Sequence, residues 1–288
     1  MTTAIHRERL LAAYSIVRAC SPTIVPAAQD FQVFEAVAST NQIAWELMDQ
    51  GKSLEPVVIA RSQTAGRGQW GRQWQSEPGG LYLSVGVKLE LPAVQAAQLT
   101  LCTAWGIATA LREIPPRLSG ATEGIPVQLK WLNDLVLHGR KLGGILTETR
   151  IQQEQITRAV IGVGINWSNP VPKTGITLKS FLAQRATPLI ESLELLAAIT
   201  LHGLLSGIDH RMKHGIEPIL DDYFALLAHR DRSVWTNGRE GTIVGIAPTG
   251  ELRVQLKIPQ FPMGESLEPT DSHEILIKPG TISLDYPL

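Results

Sequence analysis

The order of hydrophobic and polar positions first predicts alternating helices and strands. A loose helical stripe over residues 5–20 is followed by a strand-like run at 31–37. A second helix is predicted to start at Ser39, where Gln42 three residues later completes a capping box ahead of residues 43–48. The N-terminus of that helix offers spare N–H groups that can hold a carbonyl or an anion.

Further apolar runs, bounded by glycine and proline, predict a sheet with helices around it. The predicted strands lie at 57–61, 81–89, 127–131, 135–138, 142–149 and 156–165. The predicted helices lie at 94–113, 191–209 and 215–230. Because the last four strands follow one another closely, they predict a meander and therefore a mixed or largely antiparallel sheet in an α+β fold.

The pattern changes after residue 230, where no helical periodicity remains. Short strands are predicted around Val234 and at 242–246, 252–256, 274–277 and 281–284, punctuated by glycine, proline and asparagine. We therefore expect two domains, residues 1–230 and a small all-β domain at 231–288.

Composition and charge limit the classes of function. Hydrophobic residues make up 44% and charged residues 18%, so the chain can bury a sizeable core. A net charge of −1 provides no overall field for nucleic acid or an anionic membrane, and one short helix before the core is too little for a DNA-reading module. Cys20 and Cys102 are too few for a disulfide framework. We expect a soluble, cytoplasmic protein without a nucleic-acid or membrane partner.

A glycine-rich loop concentrates positive charge in this nearly neutral chain. No acidic residue lies between Glu55 and Glu77, and the same stretch holds three basic residues: Arg61, Arg67 and Arg72. Residues 66–71 satisfy the glycine spacing of a dinucleotide-binding loop, but a strand follows instead of the helix that such a loop requires. The loop suits either a local anion site, whose backbone N–H groups close around phosphate, or a mobile hairpin with solvated arginines.

Two further groups of residues indicate a ligand near the meander. Lys130 and Lys141 are expected on adjacent strands, where a polyanion would relieve their repulsion; the alternative is two exposed lysines with Asp134 as a surface partner. Gly162 and Gly164 alternate in an apolar strand, which weakens packing and indicates that a flat ligand or another backbone lies against that face.

Together these residues resemble the biotin protein ligases, or biotin-[acetyl-CoA-carboxylase] ligases. The resemblance rests on four motifs in order: Gly66-Arg67-Gly68-x-x-Gly71-Arg72-x-Trp74, Lys130-Trp131-x-Asn133-Asp134, Arg140-Lys141-Leu142-x-Gly144-Ile145-Leu146 and Gly162-x-Gly164-Ile165-Asn166. With the start of the second helix and Gln63 it spans about residues 33 to 170, and the C-terminal strands are similar to that family's SH3-like cap.

The resemblance implies a class II synthetase-like mixed sheet flanked by helices, and a reaction in two steps. Biotin and MgATP would give biotinyl-5'-AMP and pyrophosphate. A lysine of the biotin carboxyl carrier protein of acetyl-CoA carboxylase would then displace AMP. The chain would act as a monomer or homodimer, with biotin, ATP and Mg²⁺ as its small-molecule partners.

The resemblance also implies roles for individual residues. Biotin would be bound by Ser39, Thr40, Asn41, Gln63, Arg67, Gly68, Gln69, Lys141, Gly162 and Gly164. ATP and the adenylate would be bound by Arg67, Arg72, Lys130, Asn133, Asp134 and Asn166, with Asp134 a weaker candidate for the Mg²⁺ shell. Arg67, Lys130 and Lys141 would be catalytic through positioning and charge stabilisation, and no protein nucleophile is implied.

Two residues depart from the family pattern. Gln69 stands where many members have a basic residue, which leaves one less charge over the adenylate, and Leu132 stands where proline is usual. A lipoate-protein ligase and an inactive ligand-binding relative are the alternative interpretations. The Gly-Arg-Gly loop and the C-terminal strands favour biotin, and the retained Arg67, Lys130 and Lys141 favour an active enzyme.

Overall fold

The computed structural model describes residues 5–21, 30–186, 189–236, 238–257, 274–282 and 284–286. Six α-helices lie in this part of the chain: α1 Arg7–Cys20, α2 Thr40–Asp49, α3 Ala96–Ser119, α4 Leu178–Leu182, α5 Leu193–His214 and α6 Glu217–Ala225. The first seven strands are β1 Asp30–Val37, β2 Pro56–Gln63, β3 Leu81–Pro92, β4 Gln128–Lys130, β5 Asp134–Leu137, β6 Arg140–Gln152 and β7 Gln155–Ile165. The last four are β8 Ser233–Thr236, β9 Arg239–Ile246, β10 Leu252–Leu256 and β11 Glu274–Ile277.

Strands β1 to β7 form one mixed sheet in the order β1-β2-β3-β7-β6-β5-β4. Only the β1–β2 pair within this sheet is parallel, and the others are antiparallel. The predicted α+β fold with a mixed sheet is therefore confirmed. The tight turn between β5 and β6 is confirmed as well, with positive φ at His138 and Gly139.

Helices cover both faces of this sheet because the side chains of its strands alternate between them. On β2, Val57 and Ile59 belong to the large core that also contains residues of α1, α3 and α5, whereas Val58 packs with residues of α2 on the other face. Helices α3 and α5 approach closely, since a Cβ at Gly106 or Gly203 would meet the backbone of the facing helix. The large core thus fixes one face, and the other face is left to α2 and the site.

Several predicted element boundaries are wrong. Helix α3 continues through Pro115 and Pro116, because the carbonyl of Leu111, which loses its helical donor at Pro115, accepts a hydrogen bond from Ile125 N at 3.1 Å. Helix α6 ends at Ala225 rather than near 230.

The predicted capping box is also wrong, although Ser39 does occupy the N-cap. Its side chain makes no capping hydrogen bond, and Gln42 bonds to Glu46 one turn further on. Of the predicted strand 281–284, Thr281, Ile282 and Leu284 are not in a strand, and Ser283 lies outside the described residues.

Strands β8 to β11 form a separate antiparallel sheet in the order β11-β10-β9-β8. This second sheet contacts the main part of the molecule. The Trp131 indole donates to the Gly250 carbonyl at 2.9 Å, and Gln98 donates to the Pro248 carbonyl at 2.9 Å. A small β-rich part is therefore confirmed, whereas closure into an SH3-like barrel is not. Among the described residues, no helix combines the length and apolar character needed to cross a bilayer.

Candidate active site

A cavity of about 840 Å³ opens on the sheet face that carries α2, and it gathers the residues predicted to form the site. Its lining includes Ser39, Thr40, Asn41, Gln63, Arg67, Gly68, Gln69, Arg72, Lys130, Asn133, Asp134, Lys141, Gly162, Gly164 and Asn166. These positions come from four separate stretches of sequence, so the fold brings together what the motifs predicted.

One part of the cavity is built from uncharged polar side chains at the start of α2. Gln63 Oε1 accepts hydrogen bonds from Thr40 N at 2.8 Å and Thr40 Oγ1 at 3.1 Å. The Ser84 hydroxyl donates to Asn41 Oδ1 at 2.6 Å and lies 2.7 Å from Thr40 Oγ1. Each of these buried groups already has a partner, so the network is rigid before any ligand arrives.

The two glycines of β7 provide the floor of the cavity, and the sequence explains why they must lack side chains. A Cβ at Gly162 would collide with the Asn41 amide, and one at Gly164 would lie 2.5 Å from Trp74 Nε1. The close neighbours of these glycines are thus the side chains of Asn41 and Trp74, not the predicted second backbone, and the predicted flat ligand stays a prediction. The buried Trp74 Nε1 has no hydrogen-bond partner within the described part of the protein. It is therefore an unsatisfied buried donor that lies against the glycines of β7.

A charged group occupies the neighbouring part of the same face. A row of directly paired positions crosses four strands from β7 to β4: Gly164, Gly144, Asp134 and Lys130. The Asp134 carboxylate is buried and lies between two ammonium groups, 2.7 Å from Lys141 Nζ and 3.9 Å from Lys130 Nζ. Lys141 Nζ also lies 5.3 Å from the centre of the Trp74 ring.

This arrangement corrects one expectation about the lysines and argues against the alternative interpretation. Lys130 and Lys141 are not on adjacent strands, because β5 lies between β4 and β6. Asp134 is not a surface partner but the buried counter-ion of both. Lys141 reaches it because the β5–β6 register shifts between Leu135 and Val136, and such a bulge turns the following side chains to the opposite face.

The pKa of Lys130 is lowered mainly by burial, and the nearby cations Lys141 and Arg72 lower it further, against the opposite effect of Asp134. The cost of burying the Lys130 ammonium is therefore only partly offset in the free protein. Under this condition an anion that binds beside Lys130 gains the most binding free energy from it.

The glycine-rich loop between β2 and β3 folds back on itself beside the cavity. Gly68 N donates to the Arg72 carbonyl at 2.7 Å, and Trp74 N donates to the Gly66 carbonyl at 3.0 Å. A short 3₁₀ turn at Gln69–Gly71 replaces the long helix of a dinucleotide-binding loop. A Cβ at Gly66 would collide with the Trp74 carbonyl, so only glycine fits there.

The loop is less positive than its sequence suggests, because acidic residues from other strands approach it. Glu148 of β6 forms a forked ion pair with Arg67, with N–O distances of 2.9 and 3.0 Å, and also accepts a hydrogen bond from Asn41 Nδ2 at 2.8 Å. Glu35 of β1 pairs with Arg61 at 3.1 Å. The sequence shows that the stretch itself has no acidic residue, but it does not show these two carboxylates, which come from other strands.

The two asparagines predicted to bind ATP line the cavity, but their side-chain amides donate to backbone carbonyls of its walls. Asn133 Nδ2 donates to the Ile145 carbonyl at 2.9 Å, and Asn166 Nδ2 donates to the Lys141 carbonyl at 3.3 Å. Asn166 Oδ1 in turn accepts from Asn169 Nδ2 at 3.1 Å. Their amide donors therefore fix the backbone around Lys141.

Sequence reasoning missed several residues of the site. Glu148, Asn169 and Tyr286 touch predicted site residues, and the cavity is also lined by residues after β11: Pro279, Gly280, Thr281, Ile282 and Leu284. Asn169 follows closely after the motif at 162–166, which was a usable signal. Glu148 and Tyr286 carried none, because only the folded sheet and the returning chain end bring them to the cavity.

Residues 33–166 match the model of the Biotin/lipoate A/B protein ligase family. The chain therefore contains a biotin/lipoate A/B protein ligase family domain. The matched range covers the start of α2, the glycine-rich loop, the lysine motifs and the glycines of β7, so the family assignment and the cavity concern the same part of the molecule.

Several relatives align with this chain over more residues than the family domain covers. The "Bifunctional ligase/repressor BirA" of Bacillus subtilis is 30% identical over 217 residues, covering 73% of this chain and 62% of that protein. The protein of the same name from Escherichia coli is 32% identical over 189 residues, covering 65% and 56%. The "Biotin--[acetyl-CoA-carboxylase] ligase" of Mycobacterium tuberculosis is 33% identical over 158 residues, covering 52% and 54%. The chain spans about three fifths of the length of the first of these relatives.

Solved structures share the fold. The biotin protein ligase from Aquifex aeolicus, in complex with biotin and ATP, superposes with a TM-score of 0.60 at 21% identity, covering 79% of this chain and 92% of that one. A biotin protein ligase-like protein of unknown function from Silicibacter superposes with a TM-score of 0.57 at 16% identity, covering 88% and 96%.

Proposed function

We propose that this protein activates biotin with ATP to biotinyl-5'-AMP and transfers the biotinyl group to a lysine of a biotin carboxyl carrier protein. One observation carries the proposal: uncharged hydrogen-bonding groups and two half-buried lysines share one cavity, joined by the side-chain-free row at Gly164 and Gly144. Such a cavity suits a neutral ligand that ends in a carboxylate beside a polyphosphate. The names of the relatives point to the same reaction.

The uncharged part would hold the ureido end of biotin. Ser39, Thr40, Asn41 and Gln63 provide both donors and acceptors for a urea, and the apolar rings would lie on the β7 glycines beside Trp74. The Trp74 N–H, which has no partner among the described residues, would donate to an oxygen of the ligand. Gly68 and Gln69 would cover the other end of biotin from the loop.

The charged part would stabilise adenylation. In that step a biotin carboxylate oxygen attacks the α-phosphorus of ATP, a phosphorus–oxygen bond forms, and the bond to the leaving pyrophosphate breaks. Lys141 would bind the carboxylate and the growing charge on phosphorus, and Arg67 would exchange Glu148 for the ligand anions. Lys130 and Arg72 would bind the remaining phosphates, with Asn133 and Asn166 keeping the frame.

The second step needs no protein nucleophile. The neutral amine of the acceptor lysine attacks the acyl carbon of the mixed anhydride, an amide bond forms, the nitrogen releases one proton to solvent, and AMP leaves with the electrons of the broken carbon–oxygen bond. The same lysine and arginine groups that stabilised the first transition state would stabilise the departing AMP.

Mg²⁺ would enter with the ATP phosphates rather than through a protein site. Within the described ranges, no three acidic, histidine or cysteine side chains are grouped to hold a metal. Asp134, the carboxylate expected to be its weaker ligand, is surrounded by Lys141, Lys130 and the Tyr286 hydroxyl, which is an unsuitable place for a divalent cation. We therefore propose that the phosphates of ATP, and not Asp134, bind Mg²⁺.

The remaining features belong to the same proposal. Residues 1–230 would form a class II synthetase-like catalytic domain and 231–288 an SH3-like domain, acting as a monomer or homodimer. ATP use and the unpaired thiols of Cys20 and Cys102 favour a cytoplasmic location. DNA binding is not proposed, because a net charge of −1 provides no overall attraction for phosphate.

The test is pyrophosphate release from ATP with biotin or lipoate as the acid. We expect release that depends on biotin and is at least about a hundredfold slower with lipoate, since a site built for a urea rejects a ligand that leaves its polar groups unpaired. Faster release with lipoate would favour a lipoate-protein ligase. Release with neither acid, from protein that is folded by thermal melting, would favour an inactive relative.

A further inference from the structure

The end of the chain returns to the cavity and touches its charged group. Residues 279–282 and 284–286, here called the C-terminal segment, follow β11, and the first four with Leu284 line the cavity. Leu284 is buried, and the carbonyl of Asp285 lies 2.6 Å from His229 Nε2. These contacts hold Tyr286 in place beside β4 and β5.

Tyr286 makes two contacts with residues proposed to bind ATP. Its hydroxyl donates to Asp134 Oδ2 at 2.5 Å. The face of its ring lies 4.2 Å from Lys130 Nζ, which is a cation–π distance. The pKa of the Tyr286 hydroxyl is raised by burial and by the Asp134 charge, so the group remains a donor throughout the working pH range.

The two oxygens of the Asp134 carboxylate have different partners. Oδ1 is bonded to Lys141 at 2.7 Å, and Oδ2 is occupied by the Tyr286 hydroxyl. Lys130 Nζ lies 3.9 Å from Oδ2, beyond hydrogen-bond distance. Lys130 is thus held over an aromatic ring, and its ammonium does not donate a hydrogen bond to Asp134.

We infer that Tyr286 is a positioning residue that keeps Lys130 available for the phosphates of ATP by occupying Asp134 Oδ2. The inference rests on the proposed function for the identity of the ligand. It extends the proposed active site to the last residues of the chain, where neither the sequence motifs nor the family match reaches.

The test uses Tyr286→Phe, which keeps the ring and removes the hydroxyl. Asp134 Oδ2 would then attract Lys130 into a direct ion pair that a nucleotide must break. We expect the affinity for α,β-methylene-ATP, measured by calorimetry with biotin present, to fall about tenfold, which corresponds to about 1.4 kcal/mol. The affinity for biotin, measured alone on the same sample, should stay within about twofold and shows that the variant is folded.

A double-mutant cycle separates positioning from a general structural effect. In the Asp134→Asn background residue 134 carries no charge that could capture Lys130, so adding Tyr286→Phe should change the nucleotide affinity by less than about twofold. Tyr82→Phe is the matched control, since it removes a hydroxyl that donates to the Glu77 carbonyl at 2.6 Å outside the cavity lining. Its nucleotide affinity should equal that of the wild type.

Three results would overturn the inference: an unchanged affinity in Tyr286→Phe, an equal loss in both backgrounds, or an equal loss in Tyr82→Phe. The analogue cannot transfer AMP to biotin, because a carbon bridge replaces the oxygen between its α- and β-phosphorus atoms, so the cycle does not depend on turnover. Protein that shows the expected cycle but releases no pyrophosphate with biotin would disprove the proposed function and support the inference. Wild-type protein that binds no nucleotide would overturn both.

Discussion

At the scale of single residues, the site depends on charges that are partly compensated before any ligand binds. Asp134 is shared between Lys141 and Lys130, and Arg67 is held by Glu148. Lys141 and Arg67 are therefore each pre-positioned by an acid, and ligand binding must either exchange that acid or add to it. Two substitutions distinguish these cases.

Lys141→Ala should reduce adenylation much more than folding. Loss of one pre-positioned donor in a closed site typically costs about 10² to 10³ in kcat. Repulsion between the two lysines alone would predict that removing Lys141 raises the free energy of unfolding. Because the removal also takes a counter-ion from the buried Asp134, we expect the free energy of unfolding to fall instead, by roughly 1 to 3 kcal/mol.

The measurement is the rate of biotin-dependent pyrophosphate release, compared with the melting temperature of the same variant. Lys52→Ala, at an exposed lysine after α2, is the control and should leave both unchanged. An adenylation rate equal to that of the wild type would exclude Lys141 from the reaction.

Glu148→Gln should lower the KM for biotin by about two- to fivefold. The Arg67 side chain is 46% exposed and that of Glu148 is 27% exposed, so their ion pair contributes no more than about 1 kcal/mol. In Glu148→Gln the biotin carboxylate no longer competes with Glu148 for Arg67, and its binding free energy improves by up to this amount. Steady-state kinetics would show the change, with Glu35→Gln as control because it breaks the surface pair with Arg61. A higher KM would mean that Glu148 positions Arg67 for the substrate instead.

At the scale of elements, α5 carries a buried titratable group where it meets the end of α1. His202 is 2% exposed, its Nε2 lies 2.8 Å from Ser21 Oγ, and burial lowers its pKa from 6.5 to about 4, with Arg18 lowering it further. Between these two pH values, His202 is neutral in the folded protein and protonated in the unfolded chain. Unfolding therefore takes up a proton, and stability is lost as the pH falls from 6.5 towards 4.

The loss should reach about 3 kcal/mol at pH 4 from this residue alone. Urea unfolding at a series of pH values measures it, and His202→Gln should flatten the curve over this range. His214→Gln, at the exposed end of α5, should keep the wild-type slope. An identical pH dependence in His202→Gln and the wild type would contradict the assignment.

The loop between β2 and β3 should become protected when the adenylate forms. It has five glycines and exposes Arg67 and Arg72, and phosphate would provide the partners that close it over the ligand. We expect tryptic cleavage after these arginines to slow at least about tenfold with biotin and ATP. Cleavage after Arg185, outside the cavity lining, should not change. Equal cleavage of the loop with and without ligands would refute ligand-driven closure.

At the scale of the whole molecule, the sequence predicted those features of the fold and the cavity that depend on residues close together along the chain. The four motifs contain most of the residues that line the cavity, because glycines at close approaches and paired lysines are visible in one dimension. The mixed sheet followed from the alternation and the tight turn at His138-Gly139.

What the sequence did not predict depends on partners that are distant along the chain. The place of β5 between the two lysines follows from strand order, and the orientation of Lys141 follows from a bulge that no local pattern indicates. Glu148 and Tyr286 reach the site only through the sheet register and the returning C-terminal segment. Helix α3 passes Pro115 because residue 125 replaces the missing bond.

The proposed biotin transfer is measured directly by the intact mass of a carrier domain after incubation with this protein, biotin and ATP. We expect a gain of one biotinyl group on one lysine, and no gain when ATP is omitted or when the lysine is replaced by arginine. An unmodified carrier domain, in a mixture where the protein is folded and ATP is present, would contradict it. A lipoyl group transferred in preference to biotin from an equal mixture of both acids would contradict it as well.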